Sequence, residues 1–133
     1  MTTTPPISAF ATGYEAISPS LLGSNPLYIG SRGAQPGACT VLAPYGGTTH
    51  ATQPRIRLAV QVMIYDTDQE TAHIRAWAAY RALHRKAAWT LGAWHARGVW
   101  CKETPFEMPA EPGQGGLLYR VAFNVYLDMV TAD

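Results

Sequence analysis

Two long stretches of strict alternation constrain the fold of this chain most strongly. Between Ile56 and Ile64, every second residue is a branched apolar residue. Between Leu117 and Met129, every odd-numbered position is apolar or aromatic. Successive side chains of a β-strand point to opposite faces, so a period of two predicts two long strands that each bury one face. A sheet is therefore expected at the centre of the fold.

A helix is predicted directly after the first of these strands. Thr67-Asp68-Gln69-Glu70 reads as a capping box, in which the Thr67 hydroxyl and the Glu70 carboxylate bind free backbone N–H groups. A stripe at helical spacing follows, made of Ala72, Ala76, Ala79, Tyr80 and Leu83. Since alanine lets a helix approach a sheet closely, we expect this stripe to cover Val60 and Val62.

The rest of the chain gives weaker signals. Prolines and glycines interrupt residues 1–37, which predicts a loop-rich segment, and Gly13 disfavours the one short helix that Ile7 to Ile17 would allow, with Ser8 as a possible cap. Cys39 to Ala43 and Arg97 to Thr104 read as strands. Pro105 to Gly116 reads as an irregular connection.

These elements predict a single α+β domain over residues 1–133. Its core, residues 38–133, would hold an antiparallel or mixed β-sheet of about four strands with one main helix packed on one face. Residues 1–37 would form the loop-rich N-terminal segment.

Composition narrows the classes of partner. Ten basic against nine acidic residues leave a net charge of +1, which gives no long-range attraction for nucleic acid. No apolar run approaches the roughly 20 residues of a membrane span, and no secretory signal is recognisable, so we expect a protein that stays in the cytoplasm where it is made. Only 14% of residues are charged, against about 25% in a typical soluble domain. Part of the surface is therefore expected to be covered in an assembly.

The residues that usually carry chemistry do not form a recognisable pattern. The four histidines lack the spacing of a zinc site: His50, His73, His84 and His95. Asp66, Asp68 and Glu70 are explained by the helix start. Cys39 and Cys101 are predicted to be free, buried thiols. We therefore expect no catalytic residue, no cofactor and no metal ion.

Four tryptophans lie within two dozen residues, at positions 77, 89, 94 and 100. One interpretation packs Trp77 and Trp100 between helix and sheet. For Trp89 and Trp94 two interpretations stay open, namely packing in the core or a place in a subunit interface, where tryptophan is enriched.

The strand Ile56 to Tyr65, the helix containing Ala76-Trp77 and Ala82-Leu83, and the last strand with Arg120-Val121-Ala122-Phe123-Asn124-Val125 resemble the tail terminator family of long-tailed bacteriophages. This family is also called minor capsid or tail-completion proteins, and it includes subunits of gene transfer agents. The resemblance covers about residues 38–130. This sequence departs from the family in the loop before the last strand, where Gln114 and Gly115 stand in place of the acidic pair and the arginine that family members often have.

The resemblance implies a virion structural protein without enzymatic activity, made in the bacterial host cytoplasm. Six copies would form a ring that caps the tail tube and joins it to the head-completion (neck) protein. The irregular, nearly uncharged segments 45–53, 89–94 and 105–116 are the expected contacts with other subunits, through Tyr45, Trp89, Trp94, Phe106, Glu107 and Glu111. The alternative is a small ligand-binding or enzymatic domain with a pocket between the helix and the N-terminal segment.

Overall fold

A computed structural model describes residues 4–17, 25–33, 37–49, 55–113 and 115–131. His50, Gln114 and the end of the predicted segment 45–53 lie outside these ranges. The described residues form two helices, α1 (Pro6–Ile17) and α2 (Gln69–Leu83), and seven strands. The strands are β1 (Leu27–Ile29), β2 (Cys39–Thr49), β3 (Arg55–Asp66), β4 (Ala87–Leu91), β5 (Trp94–Cys101), β6 (Phe106–Gly113) and β7 (Gly116–Thr131).

All the strands described belong to one mixed sheet with the order β1-β2-β3-β7-β5-β4, and β6 also pairs with β7. Only the β1–β2 pair is parallel among these. β7 is long enough to have two neighbours on one side. Its first half, up to Ala122, pairs with β6, and its second half, from Val125, pairs with β5. On the other side β3 accompanies it from Tyr119 to Val130.

The expectation of a four-stranded sheet with one main helix is wrong, because the described part of the chain is mostly β-structure, with seven strands and two helices. The missed strands are short or irregular. β1 has three residues, and β4 lacks a regular alternation and contains Ala88 at a φ of 46°. β6 contains Pro109, which a shift in the pairing between Met108 and Glu111 accommodates. These strands form through pairing with regular neighbours, which local propensity does not reveal.

The α2 stripe agrees with the prediction, whereas the cap does not. Ala72, Ala76, Ala79 and Leu83 are buried in one cluster with Val60 and Val62, so the predicted covering of these valines is confirmed. The helix begins one residue later than the capping box implied. Asp68 is the N-cap, and its carboxylate accepts hydrogen bonds from the N–H and the hydroxyl of Thr71 at 2.9 and 2.7 Å.

Helix α1 extends the same core and contacts β3 and both edge strands of the sheet, β1 and β4. It begins at Pro6, so Ser8 lies inside the helix and is not its cap. Phe10 and Tyr14 are fully buried. Gly13, which disfavoured the helix by propensity, faces Leu91 so closely that an added Cβ would overlap its side chain. The glycine therefore allows α1 to rest directly on β4.

The opposite face of the sheet holds a second, smaller core without a helix among its members: Cys39, Val41, Met63, Tyr65, Leu118 and Ala122. Arg32, after β1, pairs with Glu111 on β6 at 3.3 Å. In a flat sheet β1 and β6 would lie roughly 19 Å apart. The sheet must therefore curl around this cluster. Both cysteines are free and buried, as the sequence predicted.

Candidate functional site

The six predicted contact residues fall in three separate places. Trp89 packs inside the chain against α1, and Trp94 packs inside the chain beside the segment that precedes α1. The Trp89 ring lies edge-on to Phe10, with centroids 6.0 Å apart, and Lys86 lies over it at 5.1 Å. Trp94 is 9% exposed, and its Nε1 donates to the Thr4 carbonyl. Most of the Trp94 surface is thus already covered within one copy of the chain.

Phe106, Glu107 and Glu111 lie on β6, which is a strand and not the irregular connection that was predicted. Phe106 packs against the smaller core. Glu111 lies within ion-pair distance of Arg32 at 3.3 Å and Arg120 at 3.5 Å. Glu107 is exposed and accepts hydrogen bonds from Gln69 and His73 on α2, and these bonds lower its pKa.

Tyr45 lies elsewhere, at the irregular pairing between Pro44 and Gly46 on β2, and it is 47% exposed. Beside it, the outward side chains of β3, β5 and β7 form a surface over which no helix or strand of the described ranges packs. We call this surface the open face. It consists of Tyr45, Arg57, Gln61, Trp100, Asn124, Tyr126 and Asp128, all exposed or half-buried.

The open face is held together by ring contacts. Tyr126, in its middle, is stacked on Trp100 with centroids 5.7 Å apart and meets Tyr45 edge-on at 6.2 Å. The Arg57 guanidinium lies 5.1 Å from the centre of the Trp100 ring, and Gln61 donates to Asn124 across the strands. These contacts arrange the side chains before any partner binds, so little side-chain freedom would be lost on binding.

One end of the open face carries excess positive charge. Asp128 receives two hydrogen bonds from Arg55, at 2.8 and 2.7 Å, which lower its pKa, and the charges of Arg97 and Arg57 add to this effect. Neither Arg57 nor Arg97 forms an ion pair with a carboxylate of the described residues. Three arginines therefore surround one carboxylate here.

The interpretation that packs Trp100 between helix and sheet is wrong, because Trp100 lies on the other side of the sheet. The alternation along its strand could have predicted this side. Val99 and Cys101 are buried towards the helices, so Trp100 between them must point the opposite way. Tyr126 follows by the same rule from Val125 and Leu127. Two neighbouring aromatic residues on the side of the sheet that the helices do not cover are typical of an interaction surface.

Within the described ranges, the residues that could carry chemistry lie apart from one another. No group of three metal-ligating side chains is close enough to hold an ion. Asp66 binds Arg75 at 2.9 Å and accepts from the Asp68 N–H, which gives it a structural role. His84 accepts a hydrogen bond from the Cys101 N–H, whereas His73 binds Glu107, so the two histidines have different partners.

A cavity of about 320 Å³ lies between α1 and the β4–β5 hairpin. Its walls include Thr12, Gly13, Trp89 and Leu91, and none of the side chains that line it is charged. None of its lining residues belongs to α2, so it is not the pocket between α2 and the N-terminal segment that the alternative hypothesis expects. It offers no ionisable group to orient a substrate.

No protein-family model matches the chain. No curated protein matches its sequence significantly. Among the described residues, no helix is both long and apolar enough to cross a membrane.

Proposed function

We propose that this chain is a structural subunit of a bacteriophage tail, a tail terminator that forms a ring between the tail tube and the head-completion protein. The resemblance to the tail terminator family implies six copies in the ring. It would have no enzymatic activity of its own, and its place would be the virion, at the junction of head and tail. The observation that supports a binding role best is the open face, because it presents ordered aromatic side chains and arginine on a sheet whose other side is packed by helices.

The composition of the open face fits contact with protein. Tyrosine, tryptophan and arginine are the residues enriched at the centres of interfaces. Tyr45, Arg57, Trp100 and Tyr126 supply all three types within one connected set of ring contacts. The low share of charged residues in the whole chain, 14%, points in the same direction.

Co-expression with the tail tube and head-completion proteins of the same virus would test the proposal. We expect the chain to co-purify with tail tubes and to label one of their ends in electron micrographs. Tyr45→Ser should weaken this association. Ile29→Ser is a matched control, since Ile29 has the same 47% exposure but lies on β1, outside the open face. A chain that binds neither protein would contradict the proposal, and so would equal effects of the two substitutions.

A further inference from the structure

We infer that the open face binds the N-terminal end of α2 from a second copy of this chain, so that copies associate head to tail. This inference rests on the proposed function, because it names the partner of the open face within the ring. It commits to one occupant, a second copy, and to one contact region on that copy.

The charges on the two surfaces are complementary. At one end of the open face, Arg57 and the neighbouring Arg97 add positive charge beyond the Arg55–Asp128 pair. The start of α2 carries the opposite sign, through Asp68 and Glu70 on the helix and Glu107 on the neighbouring β6 strand. We call these three residues the acidic end. Among the ion pairs of the described residues, the acidic end takes part in one, between Glu107 and His73.

Next to the acidic end lies an exposed apolar residue that could pack against the aromatic rings of the open face. Ile74 is 61% exposed, the most exposed large hydrophobic side chain of the described residues. It lies four positions after Glu70, hence on the same side of α2, one turn further along. In the contact, Ile74 would cover Tyr45 and Tyr126, while Glu70 would approach Arg57.

The positions of the two surfaces determine how copies can associate. The open-face side chains alternate along β3 and β7 with Val60 and Val125, which are buried in the cluster that includes the α2 stripe. The acidic end and the open face therefore lie on opposite sides of the sheet. A contact between two different surfaces is heterologous, so every copy offers one free surface of each kind until a ring closes. A symmetric dimer would leave no such surfaces.

Charge reversal on both surfaces provides the test, with association measured by analytical ultracentrifugation at low salt. Arg57→Glu places a carboxylate opposite Glu70 of the neighbouring copy, and Glu70→Lys places an ammonium group opposite Arg57 of the neighbouring copy. Each variant alone should associate at least about tenfold more weakly than the wild type, because like charges meet. An equimolar mixture should regain assembly, since each surface of one variant is complementary to a surface of the other. High salt should weaken wild-type assembly.

Arg85→Glu is the control for Arg57→Glu, because it makes the same change in net charge beyond the far end of α2, whose stretch from Glu70 to Leu83 spans roughly 20 Å. It should assemble as the wild type does, and thermal melts should show all variants folded. A wild-type chain that stays monomeric, single variants that assemble normally, or a mixture that stays dissociated would each overturn the contact. The proposed function fails separately, if the chain does not bind tail tubes or the head-completion protein.

Discussion

The indole Nε1 of Trp94 donates a hydrogen bond of 2.8 Å to the carbonyl oxygen of Thr4, ninety residues earlier in the chain. This bond ties the segment before α1 to the start of β5. The Trp94 ring is also buried in the main core. Trp94 therefore has a structural role within each copy.

Trp94→Ala should accordingly destabilise the monomer, by about 3–5 kcal/mol, since it removes a large buried side chain. Trp94→Phe keeps most of the packing and removes the hydrogen bond, which is worth about 1 kcal/mol. Urea unfolding of the two variants measures both effects. A Trp94→Ala variant with wild-type stability that fails only in assembly would instead support the subunit contact expected from the sequence.

Gly13→Ala should destabilise the protein although alanine is the better helix former. The new methyl group would overlap the Leu91 side chain and force α1 away from β4, at a cost of about 1–3 kcal/mol, which exceeds the gain of about 1 kcal/mol in helix propensity. Thr12→Ala, at the adjacent exposed position, is the control and should be close to neutral. If Gly13→Ala raised the melting temperature, α1 would not rest on β4 as described.

Asp68→Ala should lower the melting temperature, whereas Thr67→Ala should leave it nearly unchanged. The reason is that Asp68, and not Thr67, accepts the Thr71 N–H at the start of α2. Circular dichroism melts of the two variants at neutral pH compare them directly. A larger effect of Thr67→Ala would restore the capping box predicted from the sequence.

The Arg55–Asp128 pair should make stability depend on acid pH. The pKa of Asp128 is lower in the folded chain than in the unfolded chain, so the unfolded state takes up this proton at a higher pH. The stabilisation is complete above the ordinary aspartate pKa of about 4 and is lost as the pH falls through the folded value.

Urea unfolding at a series of pH values, for the wild type and Asp128→Asn, isolates this contribution. The variant should lose less stability between neutral and acid pH. Some acid dependence should remain, because hydrogen bonds also lower the pKa values of Asp68 and Glu107. Identical pH profiles for the two proteins would show that the pair does not contribute.

The sequence by itself determined β3, β7 and α2, because their periodicity is long and each buries one continuous stripe. It also indicated which residues form the core, as with Val60 and Val62 beneath Ala76. It did not predict α1, because Gly13 disfavoured the short helix that Ile7 to Ile17 would allow. Only the tertiary structure showed why a glycine belongs there, since its neighbour Leu91 is distant in sequence.

Only the tertiary structure decided β1, β4 and β6, because these strands are held by pairing with distant residues and not by their own propensity. The same is true of the open face. Arg57, Trp100 and Tyr126 come from three strands, and register brings them together: Trp100 pairs with Tyr126 on β7, and Arg57 lies on the strand beyond. Alternation shows which side of a strand a residue faces, but cross-strand neighbours depend on sheet order and bulges, which one sequence does not state.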